Sequence, residues 1–238
     1  MGQDTALILF EFVALIFALC FHEMAHAWMA LRLGDQTAFL QGRVTLNPVK
    51  HLDPLGSIVL PLVSAFAHFP LLGWAKPTPY TTRNLKNVKR DEILIVLAGP
   101  VSNVLLAVIS LVLLLVLKHL PGGAGAVLNA AFLSMRIEGA TLMGQSVIYP
   151  IALLLYSSIV INLLLAIFNL LPVPPLDGSR ILRHYLPYKM LQTYDSIGGF
   201  ANLIILYALM RSGVLNIFYA PAFSLFNRLL LGNLMGGS

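Results

Sequence analysis

The chain has 238 residues, of which 58% are hydrophobic and only 11% are charged, and its mean hydropathy is +0.83. Soluble domains carry about 25% charged residues, so this composition excludes an ordinary soluble domain and indicates a protein that lies in a lipid bilayer. The net charge of +5 comes from basic loops between apolar segments, which is an orientation signal of membrane proteins rather than a sign of nucleic-acid binding. We therefore expect the bilayer, and no nucleic acid, as a partner.

The first apolar segment predicts a membrane-spanning helix from about Thr5 to Leu33. Its leading end is acidic, and no small-residue cleavage site follows it, so it is not interpreted as a cleaved signal peptide. The alternating stretch Phe39–Leu46 comes next and predicts a short β-hairpin or edge strand centred on Gly42.

The middle of the chain contains one ambiguous segment and one clear span. Residues 55–75 are apolar but interrupted by proline and glycine, so they form either a short span or a re-entrant segment. Residues 93–117 carry no charge and predict a long membrane-spanning helix. Residues 124–145 are less apolar and are expected to lie along the membrane interface.

A further span is predicted from about Ser146 to Leu171, followed by a proline-rich sequence that leads to Asp177. Two shorter apolar segments, 196–210 and 212–231, close the chain. The prediction is an all-α, multi-pass membrane protein with five to six transmembrane or re-entrant helices and a possible short β-hairpin after the first helix.

Basic residues follow the first helix and also cluster at Lys76–Arg90 and Arg180–Lys189. The positive-inside rule puts all three groups on the cytoplasmic side of the membrane. These assignments agree only if residues 55–75 enter and leave by one face, or if one cluster breaks the rule. The re-entrant interpretation is preferred.

The first helix contains His22-Glu23-Met24-Ala25-His26. Histidines four residues apart lie on one helix face and can reach one metal ion, with the intervening glutamate able to point at a water molecule on it. The alternative is a buried cluster that is merely hydrogen-bonded. Ionisable groups within a membrane are costly and usually functional, which favours the metal site.

A catalytic zinc site needs a third protein ligand. Asp177 is the first acidic residue after 38 residues without charge, and the prolines before it interrupt regular helix. It is either that ligand or an interfacial aspartate that ends a helix. His51 and Asp53 suggest a second metal site, but their proline-bounded loop favours a structural role.

Three motifs occur in order on three apolar segments: His22–His26, Gly99–Asn103 and Asn169–Gly178. Together they resemble the motifs of the site-2 protease family of intramembrane metalloproteases, in its compact form without a PDZ domain. The resemblance covers about residues 5–190 and implies one membrane-embedded peptidase domain over residues 1–238. It further implies that His22, His26 and Asp177 bind one zinc ion, that Glu23 is the catalytic acid and base, and that Asn169 helps to hold substrate or to stabilise the oxyanion.

The implied activity is zinc-dependent hydrolysis of peptide bonds within or near the transmembrane segments of substrate proteins. The implied location is the cell membrane of a prokaryote, with the site toward the cytoplasm. From the residues alone, Asn169 could equally face another helix, and Asn103 is assigned to helix packing without a catalytic role. Phe39–Leu46 either pairs with an unwound substrate or is purely structural. A metal transporter and a catalytically silent relative remain as alternative functions.

Overall fold

The computed structural model describes residues 3–66, 73–135, 148–197 and 199–235. These residues form ten α-helices: α1 (Gln3–Arg32), α2 (Thr37–Leu40), α3 (Leu60–Phe66), α4 (Val88–Lys118), α5 (Gly123–Ser134), α6 (Ile148–Asn169), α7 (Asp177–Arg183), α8 (Tyr188–Ser196), α9 (Gly199–Arg211) and α10 (Val214–Met235). Extended pairing within the described residues is limited to one antiparallel bridge between Leu52 and Ala75. The predicted all-α class is therefore confirmed for this part of the chain.

Within the described residues, four helices are long and apolar enough to cross a membrane: Ala6–Arg32, Val88–Lys118, Ile148–Asn169 and Val214–Gly232. This finding agrees with the predicted multi-pass membrane protein. The predicted total of five to six transmembrane or re-entrant helices is not confirmed by the residues that the structure describes.

The core lies where α4 packs against α1 and α6, and α5 packs mainly against α6 and also contacts α4. Residues 124–145 were expected along the membrane interface; α5 is more buried than expected, with Ala126, Val127, Ala130 and Ala131 in the core, and its position relative to the membrane stays a prediction. Small side chains let helix backbones approach closely, which is how a modestly apolar segment becomes an interior helix. Residues 136–147, which include the predicted start of the next span, lie outside the described part.

Side-chain and backbone hydrogen bonds define the start of α4. The Asn87 side chain accepts from the backbone N–H of Arg90 at 3.1 Å, and the Asp91 carboxylate accepts from the backbone N–H of Asn87 at 2.9 Å. This reciprocal capping satisfies amides that the helix itself leaves unpaired. The helix therefore begins at Val88, five residues before the charge-free stretch.

The β-hairpin predicted at Phe39–Leu46 is not formed. Thr37–Leu40 is a single helical turn, and the chain then reverses at Gly42, whose φ is +66°. The backbone N–H of Arg43 donates to the carbonyl of Ala38 at 2.9 Å, so the hydrogen bonds of this segment close within the turn. The alternation of apolar and polar residues thus reflects a compact turn rather than a strand.

The two ends of segment 55–75 lie side by side. The segment begins as a π-helical turn, Pro54–Val59, that continues into α3, and residues 67–72 are outside the described part. On its return, the backbone N–H of Trp74 donates to the carbonyl of Gly56 at 3.1 Å. This meeting of the two ends favours the re-entrant alternative.

The ends of the long helices support the same topology. Arg32 at the end of α1 lines one surface cavity together with Lys86 and Arg90 at the start of α4. The carboxyl end of α6 leads to α7, which packs against α4. All three basic clusters therefore lie at the same end of the helix bundle, as the positive-inside interpretation requires.

Candidate metal and catalytic site

Helix α1 buries three ionisable side chains on one face. His22, Glu23 and His26 are all less than 10% exposed, and their potential ligand atoms lie within 4.8 Å of one another. The imidazole rings of His22 and His26 meet edge to face, with centroids 4.6 Å apart. Burying such a group away from water is unfavourable unless charge or hydrogen bonds compensate for the lost hydration.

Asp177 reaches this face from the other side of the bundle. Helix α6 ends at Asn169, a proline-rich segment follows, and α7 begins at Asp177 itself. A Cβ on Gly178 would collide with the backbone carbonyls of Leu170 and Leu171, so glycine permits the tight return. Asp177 Oδ2 consequently lies 3.0 Å from His22 Nε2 and 3.2 Å from His26 Nε2.

The other ring nitrogen of each histidine is engaged by α4. His26 Nδ1 lies 2.7 Å from the backbone carbonyl of Ile95, and His22 Nδ1 lies 2.6 Å from Asn103 Oδ1. Since a carbonyl oxygen can only accept, the Nδ1 of His26 must carry the hydrogen. In the neutral ring that metal binding requires, the lone pair of Nε2 would face Asp177, and Nε2 makes no other hydrogen bond with the described residues.

This arrangement fits a bound zinc ion. When both imidazoles are neutral, the lone pairs of their Nε2 atoms face the negatively charged oxygen of Asp177. A cation bound between the three atoms would remove this repulsion. Zinc binds nitrogen and oxygen at about 2.0–2.2 Å in tetrahedral sites, which puts neighbouring ligand atoms about 3.3–3.6 Å apart. The distances from Asp177 Oδ2 to the two histidines, 3.0 and 3.2 Å, are slightly shorter than that separation. The donor set of two histidines and one carboxylate is also typical of catalytic zinc.

Glycine at position 99 allows α4 to approach the site this closely. A Cβ on Gly99 would collide with the rings of both His22 and His26. The preceding turn of α4 supplies the carbonyl of Ile95, and the following turn supplies Asn103. The predicted role in helix packing therefore holds for Gly99, whereas the direct contact of Asn103 with His22 was not predicted.

The carboxylate of Glu23 is held by a residue that sequence reasoning missed. The backbone N–H of Thr78 donates to Glu23 Oε2 at 2.8 Å, and the Thr78 hydroxyl donates to the Glu23 backbone carbonyl at 3.0 Å. Thr78 is buried between Pro77 and Pro79, just after segment 55–75. Only this placement between two prolines, which keeps the backbone extended and out of helices, hinted at a special position.

A cavity of about 200 Å³ opens at these residues. All five residues predicted for the site line it: His22, Glu23, His26, Asn169 and Asp177. The amide nitrogen of Asn169 donates to the carbonyl of Leu165 in its own helix at 3.0 Å. Asn169 is therefore present at the cavity wall, with one of its two amide hydrogens engaged elsewhere.

Tyr80 and Arg180 line both this cavity and a second one beside it. The Arg180 guanidinium lies over the Tyr80 ring at 5.1 Å, and the Tyr80 hydroxyl donates to Glu92 at 2.8 Å. Burial raises the pKa of the Tyr80 hydroxyl above its ordinary value, although Arg180 opposes this rise. Tyr80 is accordingly a neutral donor at neutral pH, and it forms the wall between the two cavities.

His51 and Asp53 both make hydrogen bonds within their own loop. His51 Nε2 lies 2.7 Å from the carbonyl of Thr45. The Asp53 carboxylate accepts from the backbone N–H groups of Leu55 and Gly56 at 3.0 and 2.8 Å and so caps the π-helical turn. These contacts agree with the structural role that the sequence favoured.

Comparison with known proteins gives a consistent result. The sequence model of a family described as Peptidase family M50 matches residues 10–210. YwhC of Bacillus subtilis, named as a zinc metalloprotease, is 40% identical over 207 residues, which cover 85% of this chain and 82% of YwhC. Rip2 of Mycolicibacterium smegmatis, also named as a zinc metalloprotease, is 30% identical over 72% of this chain and 55% of Rip2. Rip2 of Mycobacterium tuberculosis is 27% identical over 88% of this chain and 70% of its own length. No solved structure gave a significant match.

Proposed function

The chain belongs to peptidase family M50, the site-2 protease family of metalloproteases, and we propose that it cleaves peptide bonds within or near the transmembrane segments of other membrane proteins. The metal would be one zinc ion per chain, held by His22, His26 and Asp177. The peptidase domain would extend over residues 1–238, with its core at about 5–190.

One observation carries this proposal. Asp177 Oδ2 on α7 lies 3.0 Å from His22 Nε2 and 3.2 Å from His26 Nε2 on α1, and these residues line a cavity together with Glu23. Burying ionisable side chains is costly, and helix packing alone would not require His22, His26 and Asp177 to meet. The arrangement is that of a ligand set with a neighbouring base.

Zinc bound by these residues would polarise the scissile carbonyl and lower the pKa of a water molecule toward about 7. Glu23 would then take a proton from the attacking water as that water adds to the carbonyl carbon. When the carbon–nitrogen bond breaks, Glu23 would pass this proton to the departing amine nitrogen. The backbone N–H of Thr78 holds Glu23 Oε2 at 2.8 Å, which keeps the carboxylate in place throughout.

Asn169 would act on the oxygen of the substrate carbonyl. Its side chain lines the cavity, and one amide hydrogen is used by Leu165. The remaining hydrogen can be donated to an oxygen on which negative charge develops, and this kind of donor contributes substantially to acyl transfer. Asn169 therefore has the position and the chemistry of an oxyanion donor.

The proposed location is the cell membrane of a prokaryote, with the site toward the cytoplasm. Arg32, Lys86 and Arg90 lie at the end of the bundle where α1 finishes and α4 starts, and positive loops favour the cytoplasmic face. His22 and His26 are within ten residues of that end of α1. The cleavage site would therefore lie within the bilayer but near its cytoplasmic surface.

The proposed activity can be tested with purified protein in liposomes that contain a single-span substrate protein. Mass spectrometry of the products should find new termini within or next to the span. New termini only in the soluble parts of the substrate would contradict an intramembrane specificity. Zinc movement across the liposome membrane without any cleavage would instead support the transporter alternative.

A further inference from the structure

Two buried asparagines connect the zinc-facing histidine of α1 to helix α6. Asn103 of α4 contacts His22 Nδ1 through its Oδ1 at 2.6 Å. Asn103 Nδ2 donates to Asn162 Oδ1 at 2.8 Å and to the backbone carbonyl of Ala18 at 3.3 Å. Asn103 and Asn162 are both at most 1% exposed, so water does not compete for these bonds.

The orientation of this chain of amides is determined by backbone carbonyls. Asn162 Nδ2 donates to the carbonyl of Ser158 at 2.8 Å, which turns Asn162 Oδ1 toward Asn103. Asn103 must then present its NH₂ group both to that oxygen and to the carbonyl of Ala18. Neither carbonyl can donate, so reversing either amide would place two acceptors against each other. Asn103 Oδ1 is therefore fixed on the side of His22.

An acceptor fixed at this place also fixes the histidine. His22 can satisfy Asn103 Oδ1 only with a hydrogen on Nδ1, and the neutral ring then carries its lone pair on Nε2. Nε2 is the atom that lies 3.0 Å from Asp177. His26 reaches the same state through the carbonyl of Ile95, which cannot rotate, whereas His22 depends on a side-chain amide that could otherwise turn over.

We propose that Asn103 and Asn162 are positioning residues that hold His22 in the Nδ1–H form and so keep its Nε2 available to the metal. This inference rests on the proposed zinc site. Removing the residue that hydrogen-bonds to a metal-bound histidine typically lowers metal affinity by about 10- to 100-fold. A role in packing alone would affect the stability of the helix bundle but not which ring nitrogen of His22 carries the hydrogen.

The test uses zinc alone as the probe, with purified Asn103→Leu, Asn162→Leu and wild-type protein in detergent. Competition with a chelator gives the zinc dissociation constant, and we expect Asn103→Leu to weaken binding about 10- to 100-fold. Asn162→Leu, which leaves Asn103 in place but removes one of the two acceptors of its NH₂ group, should weaken it less. Tyr156→Phe is the matched control, because it removes a buried hydrogen bond between α6 and α10 that does not involve His22.

A second readout follows the Nδ1 proton of His22 in zinc-loaded protein labelled with ¹⁵N-histidine. This proton should exchange slowly with solvent in the wild type and in Tyr156→Phe, and faster in Asn162→Leu. If both asparagine variants fold and keep wild-type zinc affinity and proton exchange, the positioning role is overturned while the zinc site stands. If Asn103→Leu does not fold, Asn162→Leu decides by the same criteria. Wild-type protein that binds no zinc would contradict the proposed function as well.

Discussion

His22 Nε2 lies 3.0 Å from Asp177 Oδ2, although 155 positions separate the two residues in the sequence. The contact joins the first long helix to the short helix that follows α6, and both residues are largely buried. An aspartate that merely ended a helix at the interface would not need to reach across the bundle to two histidines. The structure therefore brings together the two parts of the predicted ligand set that sequence spacing could not connect.

Replacing Asp177 with alanine should remove most of the bound zinc, because a three-residue site that loses its carboxylate keeps only two ligands. Metal content of the purified variant, measured by mass spectrometry, checks this expectation. Asp195→Ala is the matched control, since Asp195 is an exposed aspartate that pairs with the exposed Arg183. Unchanged zinc occupancy in Asp177→Ala would remove this residue from the site.

Gly99→Ala should abolish zinc binding, or reduce it by at least about tenfold, because the added methyl group collides with the rings of both His22 and His26. Gly125→Ala adds the same methyl group on α5, where no other part of the described structure comes within 4 Å of it, and should leave zinc binding unchanged. Equilibrium zinc titration of the two variants makes the comparison. Equal affinity would mean that α4 does not press against the histidines as the structure has it.

Thr78→Val should lower the rate of cleavage about fivefold while zinc occupancy stays at the wild-type level. The variant keeps the N–H that holds Glu23 Oε2 but loses the hydroxyl bond to the Glu23 backbone, and one such bond contributes about 1 kcal/mol. Rates measured at saturating substrate, beside metal analysis of the same samples, test this separation. A loss of zinc in parallel with activity would indicate a collapsed site instead.

Asp35 should make the stability of the fold sensitive to acid. Its buried carboxylate accepts hydrogen bonds from Thr37, from the backbone N–H of Thr81 and from Asn84. Burial alone would raise the pKa of Asp35, but these bonds hold it below the ordinary value of 3.8. A lowered pKa in the folded state stabilises the fold above about pH 4, and this stabilisation is lost as the pH falls through the folded-state pKa.

The expected size of this effect is about 2 kcal/mol, the scale of hydrogen bonds to a charged group. Asp35→Asn should therefore unfold more readily than the wild type in detergent at pH 7, and the difference should shrink as the pH falls below 4. Urea titrations of both proteins at a series of pH values measure it. A difference that grew toward acid pH would contradict the assignment.

The site could be predicted from sequence to a considerable extent because its chemistry uses rare residue types in a fixed local spacing. His22, Glu23 and His26 stand on one helix face, and few other acidic groups follow a long charge-free segment as Asp177 does. These residues, with Asn169, line one cavity as predicted. Their assignment as metal ligands and catalytic groups stays a prediction until metal binding and cleavage are measured.

The partners of these residues could not be predicted, because they depend on how helices pack rather than on local pattern. Thr78 contacts Glu23 across 55 positions, and Asn103 contacts His22 across 81. In the sequence, a threonine between prolines and an asparagine in an apolar helix have several ordinary explanations. Their contacts became visible only when the return of residues 73–80 and the approach of α4 at Gly99 were known.

One prediction about the fold was wrong, and a second segment is more buried than expected, for a related reason. Alternation in Phe39–Leu46 suggested a strand, but no neighbouring strand pairs with it among the described residues, and its backbone closes on itself at Gly42. The modest hydropathy of residues 124–145 suggested an interfacial position, yet Ala126 and Ala130 allow α5 to pack into the core. In both segments, the presence or absence of a packing partner among the described residues decided the structure more than the local sequence pattern did.

The central claim is that Glu23 performs chemistry at a zinc site that it does not itself build. Purified wild-type protein and Glu23→Gln, assayed side by side for zinc content and for cleavage of a membrane-spanning substrate, test it most directly. We expect equal zinc in both proteins and a loss of cleavage of at least about 1,000-fold in Glu23→Gln, because glutamine cannot take up the proton of water. Glu23→Gln protein that retains zinc and cleaves at a rate close to wild type would contradict the account.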